Sequence, residues 1–402
     1  MYSLLKLIYS FKFKSSGQEV FQLEFKKKAI LLHDAPLEEW KGSQRIFLEY
    51  GNFLVNRGYD VTYMSPSRFN RPEGERKIRM EAEVKFKVET YKFRHFFIYW
   101  VPRKLIKEKN PELIYVGTFN SFPIISIGKR KVIFGSFVYG PENDILNGLL
   151  QKLWVKFKRF LFRLAIIKYS EKSVVFQTLN QEQADWLREI VGDRFKIFNI
   201  PPPVDCSRYF FSKNQENSDE IFKILFVGPL TVDKGFRTFS EIIDRLNSSE
   251  YGKKVAFYVL SVGGPLEGLL KSILARWSNI RYVVSPTETE KIYYYRVCQV
   301  LISPSRVENF HIVAAEAQLC GLPVISSKIS GPSSIIIQSR TGILVPMYEL
   351  EGYIDGVLHY LDLWKNKEAY TNLKIEISSV SQRFCSERSI NEFLNMLTYI
   401  QT

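Results

Sequence analysis

The sequence predicts an α/β protein made of two parallel-sheet units that face each other across a cleft. Three observations predict it. The chain has 402 residues, enough for two or three domains at roughly 100–200 residues each. Short apolar runs alternate with helix-period segments in both halves, the pattern of parallel strands joined by crossover helices. A proline run and a polar stretch interrupt that alternation near the middle. Hydrophobic residues make up 46% of the chain and charged residues 24%. That is the balance of a folded protein with enough apolar material for two cores.

Residues 1–27 are basic, aromatic and aperiodic, and are read as an extension. Ala29-Ile30-Leu31-Leu32 is a continuous apolar run, as a buried parallel strand requires. The loop from Asp34 to Ser43 leads into a helix whose apolar residues Ile46, Leu48, Phe53 and Leu54 recur at helical spacing, and Arg57-Gly58 stops it. Val61–Met64 is the second strand, with further strands at 113–116, 132–134 and 173–176. Pro201-Pro202-Pro203 and the polar stretch 212–220 place the boundary, giving a first domain over 28–205 and a linker over 206–220. The second domain, 221–382, repeats the alternation with strands at 223–227, 255–259, 281–284, 300–303 and 323–326. Helices are expected at 236–246 and 313–319, the latter closed by Cys320-Gly321 and Pro323. Residues 383–402 read as a terminal helix able to cross back to the first domain.

Charge and cysteine usage narrow the function classes. The net charge is +14, and the first 200 residues, with 35 basic and 21 acidic side chains, carry all of it. One half is therefore expected to face an anionic surface, a membrane or a nucleic acid. The segment 152–168 holds Lys152, Trp154, Lys156, Lys158, Arg159 and Arg163 without an acidic residue. It reads either as an interfacial membrane anchor or as a helix with a buried apolar face and a solvated basic one; the stretch from Tyr91 to Lys109 has the same character. No apolar run reaches the roughly 18 residues of a membrane span, and the N-terminus makes a poor signal peptide. The cysteines Cys206, Cys298, Cys320 and Cys385 lack C-x-x-C spacing. That spacing excludes a disulfide scaffold and a cysteine-rich zinc site and suits a reducing cytoplasm.

The richest segment for chemistry is Ser303–Ala317. A strand ends at Ser303 and a helix starts near Phe310, so the free N–H groups of its first turn form an anion site. Glu308 stands just before that helix. Glu316 lies eight residues later, on the same side, among small apolar neighbours where a carboxylate needs a partner or a ligand hydroxyl. The spacing equally permits Glu308 as a cap and Glu316 facing solvent. In Phe226–Gly235 a strand and the turn at Gly228 place Lys234 just before a helix, where an ammonium can meet a diphosphate. Gly263-Gly264 follow the next strand and permit close backbone approach. No G-x-G-x-x-G follows a strand, which counts against a dinucleotide oxidoreductase.

These motifs, E-x7-E, A-x-x-C-G-L-P-V-I over 317–325 and T-G-I-L-V over 341–345, resemble the retaining GT-B glycosyltransferases of family 4 (glycosyl transferases group 1). The likeness is dense over 222–346 and looser over 29–64 and 173–210. It implies a GT-B fold of two Rossmann-like domains. It implies that Glu308 contacts donor-sugar hydroxyls, Glu316 the ribose, and Lys234 with the amides of Asn309, Phe310 and His311 the diphosphate, and that Gly228, Gly263 and Gly264 line the nucleotide site. His311 either donates to phosphate or caps the helix. The family's clamp arginine is replaced here by Pro229, for which Arg306 or Arg237 is the substitute. On the acceptor side the resemblance implies a loop with Asp34, Gly42 and Ser43, where the family's paired glycines are reduced to Gly42-Ser43.

The resulting expectation is a metal-independent, hexosyltransferase-type enzyme with no cofactor, its nucleotide-sugar (UDP- or GDP-sugar) being a substrate. The expected acceptor is lipid-linked or a glycan, at the cytoplasmic face of a membrane. The rival expectations are the same fold acting on nucleic acid, or a non-catalytic binding subunit.

Overall fold

A computed structural model describes residues 27–33, 42–67, 84–92, 106–117, 130–135, 160, 163, 166, 169–213 and 220–402. The apolar runs do become buried parallel strands. β1 (Lys27–Leu32) lies between β2 (Tyr59–Ser67) and β4 (Leu113–Val116), with Ala29 opposite both Val61 and Leu113. With β3 (Lys87–Lys92), β5 (Lys131–Gly135), β6 (Val174–Thr178) and β7 (Ile197–Asn199) they form a seven-stranded parallel sheet in the order β3-β2-β1-β4-β5-β6-β7. Helix α1 (Gly42–Asn56) joins β1 to β2 and buries Ile46, Phe47, Tyr50 and Leu54. Helix α2 (Gln181–Val191) joins β6 to β7.

The second sheet repeats the winding. β8 (Phe222–Val227), β9 (Val255–Ser261), β10 (Ile280–Val284), β11 (Val300–Ser303), β12 (Val324–Ser327) and β13 (Gly342–Val345) take the order β10-β9-β8-β11-β12-β13, all parallel. The intervening helices are α3 (Phe236–Asn247), α4 (Glu267–Arg276), α5 (Glu288–Val297), α6 (Ile312–Leu319) and α7 (Ser330–Ile335). α8 (Leu350–Lys365) and α9 (Lys367–Ser381) follow the last strand. In each sheet the first strand sits between the second and the fourth, and the order reverses there. Ligands of open α/β sheets bind in the crevice beyond the strand carboxyl ends at such a switch point.

The chain passes between the two sheets twice, and the passages touch. Val204 bridges to Cys385, and the Ser386 N–H donates to the Val204 carbonyl at 2.9 Å. Helix α10 (Ser386–Gln401) then packs on the first sheet. Phe393 stacks on Tyr50 at 4.1 Å between centroids and lies 5.8 Å from Tyr115, and Gln401 donates to the Tyr59 hydroxyl.

Four expectations change. Cys206 and Cys385 are disulfide-bonded across a sequence separation of 179; only the buried Cys298 and Cys320 are free. Sequence spacing missed the bond because the two passages meet only in three dimensions. Gly42 and Ser43 are not loop residues: they open α1. Strands β3, β7 and β13 were not anticipated. β3 is a polar edge strand with Val88 43% exposed, and β7 has only three residues, so neither shows a buried run. Arg163, although exposed, is bonded to the fold. Its guanidinium donates to the carbonyls of Ile190 (2.9 Å) and Glu189 (2.5 Å), at the C-terminus of α2, where a cation is electrostatically favoured. Asp34, Lys152, Trp154, Lys156, Lys158 and Arg159 lie outside the described residues, as do nearly all of residues 1–27.

Candidate active site

β8 and β11 are neighbours at the switch point of the second sheet, with Val300 opposite Ile224 and Leu301 opposite Leu225. The loops leaving their carboxyl ends therefore start side by side. One loop carries Lys234 and the other Glu308, and the two side chains meet with Lys234 Nζ 2.6 Å from Glu308 Oε1. The loops are also locked backbone to backbone. The Arg306 N–H donates to the Asp233 carbonyl at 2.8 Å. Gly235, at φ +72°, lies so close to Pro304 that a β-carbon there would stand 1.9 Å from its carbonyl oxygen. Only glycine satisfies both the left-handed backbone and that approach. The turn after β9 joins the cluster, since the Leu230 N–H donates to the Gly263 carbonyl at 3.0 Å. Gly228 ends β8 on the same rim, and Gly264 takes its place beside the Leu230 backbone.

Glu308 is mostly enclosed, 17% exposed against 33% for Lys234. Burial is the largest single influence and works to raise its pKa, but the Lys234 ammonium and the hydrogen bonds from Lys234 and the Ser305 hydroxyl act together against it, and the carboxyl lies below its ordinary value. The Ser305 hydroxyl donates to the same Oε1 at 3.3 Å.

His311 caps α6. It takes the left-handed backbone at φ +74°, and its Nδ1 accepts the Ala314 N–H at 2.9 Å. That bond fixes the neutral tautomer, so Nε2–H donates to the Ser303 hydroxyl at 2.6 Å. Burial depresses the His311 pKa below 6.5 against the opposing pull of Glu308. Both ring nitrogens thus bond within the protein, and the side chain serves as the cap of α6. A polar chain then runs from His311 through Ser303 and Ser305 to Glu308.

Glu316, one turn into α6, does not face solvent: it is 0% exposed. Its Oε2 accepts from the Tyr295 hydroxyl at 2.9 Å and from Lys291 Nζ at 3.1 Å, both from α5. Lys291 also pairs with Glu288 at 3.0 Å, and the Tyr209 hydroxyl donates to Glu288. Sequence reading missed Lys291 and Tyr295. Their signal was available only in three dimensions, because α5 crosses from β10 to β11 and lands beside α6. Small residues, Ala314, Ala315 and Ala317, let α6 sit this deep, and Gly321 closes it with Leu322 N–H donating to the Ala317 carbonyl at 2.9 Å.

Arg306 is half-buried, with its guanidinium 5.2 Å from the ring of exposed Tyr348. Arg237 lies exposed on α3. Asn309 and Phe310 connect Glu308 to His311. Another residue that sequence reading missed, Asn180 of the first domain, reaches this loop: its Nδ2 donates to the Asn309 carbonyl at 2.6 Å. Among the described residues, no three or more His, Cys, Asp or Glu side chains cluster as a metal site. No helix among them is long and apolar enough to cross a membrane.

Residues 221–362, essentially the second sheet with its helices, match the family model described as glycosyl transferases group 1. The chain is 29% identical over 202 residues to D-inositol 3-phosphate glycosyltransferase 2 of Catenulispora acidiphila, covering 46% of each. It spans about half the length of this and other curated relatives it matches. Sucrose-phosphate synthase from Thermosynechococcus elongatus superposes with a TM-score of 0.72 at 16% identity, over 93% of this chain and 99% of the other. Anabaena HepE in complex with UDP gives 0.70 at 13% identity, over 92% and 99%. The fold is GT-B.

Proposed function

We propose that this chain is a retaining, metal-independent glycosyltransferase of family 4 that moves a sugar from a nucleotide-sugar to an acceptor. The observation that carries the reading is the meeting of Lys234 and Glu308 at the switch point of the second sheet. A lone ammonium beside a carboxylate at strand carboxyl ends offers two different contacts to one ligand. Lys234 offers a point charge to a leaving diphosphate, and Glu308 accepts from sugar hydroxyls. The amides of Asn309, Phe310 and His311 add donors for the same ligand. In the reaction, the bond from the sugar's anomeric carbon to the diphosphate oxygen breaks. A bond to the acceptor oxygen forms on the same face, and the acceptor's proton passes to the departing phosphate oxygen. No separate general base is needed. Glu316 is the candidate for the ribose hydroxyls, in exchange for its present contact with Lys291. That HepE was solved with UDP supports a nucleotide-sugar donor, with UDP- and GDP-sugars the first to try.

The acceptor we propose is lipid-linked or a glycan presented at a membrane, the chain sitting peripherally on its cytoplasmic face. The support is the charge of +14 carried by the first 200 residues, the half that faces the acceptor in this fold.

The test is nucleotide release from a panel of UDP-, GDP- and ADP-sugars with anionic vesicles present. Glu308→Gln is the control, because it preserves shape while removing the charge. Release from one donor, lost in the variant, supports the reading and names the donor. If no nucleotide is released and none stabilises the protein thermally, the donor-site reading is overturned in favour of a non-catalytic subunit, which the replacement of the clamp arginine by Pro229 also suggests.

A further inference from the structure

Asn180 lies far from the site in sequence, in the first domain, yet it is 4% exposed and touches the second domain twice. It is the N-cap of α2: its Oδ1 accepts the Gln183 N–H at 2.8 Å. Gln183 reciprocates by accepting the Leu179 N–H at 3.0 Å. Because Oδ1 must face the helix N–H, the orientation of the amide is fixed, and Nδ2 must face the other way. There it donates to the Asn309 carbonyl at 2.6 Å, while the Ser330 hydroxyl donates to Oδ1 at 3.3 Å. The cap is thus used twice, once within its own domain and once across the cleft.

Asn309 follows Glu308 directly, and the peptide before it is anchored as well. The Glu308 carbonyl accepts the Gly331 N–H at 2.9 Å, an approach so close that a β-carbon on Gly331 would stand 2.3 Å from that oxygen. A trans peptide points its N–H opposite its carbonyl. Two successive anchored carbonyls therefore fix the directions of the Asn309 and Phe310 amides and the backbone from which Glu308 projects. One anchor, Gly331, belongs to the same domain as the loop. The other, Asn180, belongs to the opposite domain.

We propose that Asn180 is an inter-domain latch, a positioning residue through which the first domain sets the conformation of the loop 304–311 when the cleft is closed. The latch rests on the donor-site reading for its consequence in catalysis, but not for its structural content. When the domains part, the Asn180 to Asn309 bond breaks and the loop keeps only its anchors within the second domain. When they close, the bond re-forms and Glu308 is returned to its place beside Lys234. Acceptor-side and donor-side domains thereby report to each other through one side-chain amide.

The test is Asn180→Asp. Aspartate caps a helix as well as asparagine, so α2 keeps its cap, while the donor toward Asn309 is replaced by a carboxylate oxygen that repels its carbonyl. Backbone hydrogen exchange over 306–311 is followed in the full chain, together with nucleotide release from the active donor. The latch predicts exchange about tenfold faster in the loop, with exchange within α2 unchanged. It also predicts kcat lowered about tenfold or more, with donor KM changed far less. Asn180→Ser, which also caps, is expected to behave like Asn180→Asp, and Ser330→Ala to have a smaller effect. Unchanged exchange and unchanged kcat in Asn180→Asp would overturn the latch. Faster exchange in the variant, with no nucleotide released by the wild type, would support the latch and overturn the donor-site reading instead.

Discussion

The two sheets share one winding but differ in the side chains described around their first and fourth strands. In the second domain, the crevice between β8 and β11 is lined by charge: Lys234, Glu308 and a polar chain through Ser305 and Ser303 to His311. In the first domain, the described residues packed around β1 and β4 are aromatic. His33 lies 5.3 Å from Phe47 edge to face, and Phe47 stacks on Tyr115 at 4.7 Å. That aromatic core continues through Tyr50 to Phe393 of the terminal helix. The same winding therefore carries a charged rim in the second domain and, among the described residues of the first, a packed aromatic scaffold. The lesson is that topology alone does not make a site; its side chains do.

The comparison predicts that damage to the first domain is read in stability and damage to the second in chemistry. The largest stability effect is expected from Phe393→Ala, which removes the stacked ring that holds α10 on the first sheet. The cost is about 4 kcal/mol, measured by urea unfolding. A cost under about 1 kcal/mol would break the scaffold half of the comparison. Glu316→Ala is the exception within the second domain. It leaves Lys291 without its fully buried partner and should cost about 3 kcal/mol. Glu316→Gln, which keeps an acceptor for Tyr295, should cost less. Thermal melts of the pair separate the structural part of Glu316 from any part in ligand binding.

Two smaller effects sharpen the contrast. The folded pKa of His311 lies below 6.5. As pH falls through 6.5 the unfolded ring takes up a proton that the folded ring refuses. Stability therefore falls from about pH 6.5 downward, until pH reaches the folded value. His311→Gln should flatten that part of the melting-temperature profile. Glu308 acts in a lower window: its folded pKa lies below 4.5, so its contribution is full above about pH 4.5, declines as pH falls below that value and is gone once pH has passed the folded value. The smallest effect is Arg163→Ala, about 0.5 kcal/mol from the C-terminus of α2. It should leave vesicle binding by the full chain unchanged, since the guanidinium is already engaged.

What was legible in the sequence follows the same division. Buried parallel strands have a continuous apolar signature, so β1, β4, β8 and β11 were readable within a residue or two. Edge strands β3 and β7 lack that signature, one being polar and the other short. The residues of one loop and its helix, Glu308 to Glu316, form a local string and were found as such. Lys291, Tyr295 and Asn180 act on that string from other elements, and no local pattern marks them. The Cys206–Cys385 bond is hidden for the same reason: it joins two passages that are 179 residues apart. Sequence reading offers both Glu308 and His311 as the helix cap and does not choose, because it does not show that His311 adopts a left-handed backbone.

The central claim is that Lys234 and Glu308 together form the donor site. It is tested most directly by nucleotide release from the active donor in Lys234→Ala, at matched folded concentration. The account predicts a loss of roughly 10²–10³-fold in kcat, the scale for removing one charge-stabilising donor, with a lowered melting temperature because the mostly enclosed Glu308 loses its ion-pair partner. Release at the wild-type rate would contradict it and move the chemistry away from the β8–β11 crevice.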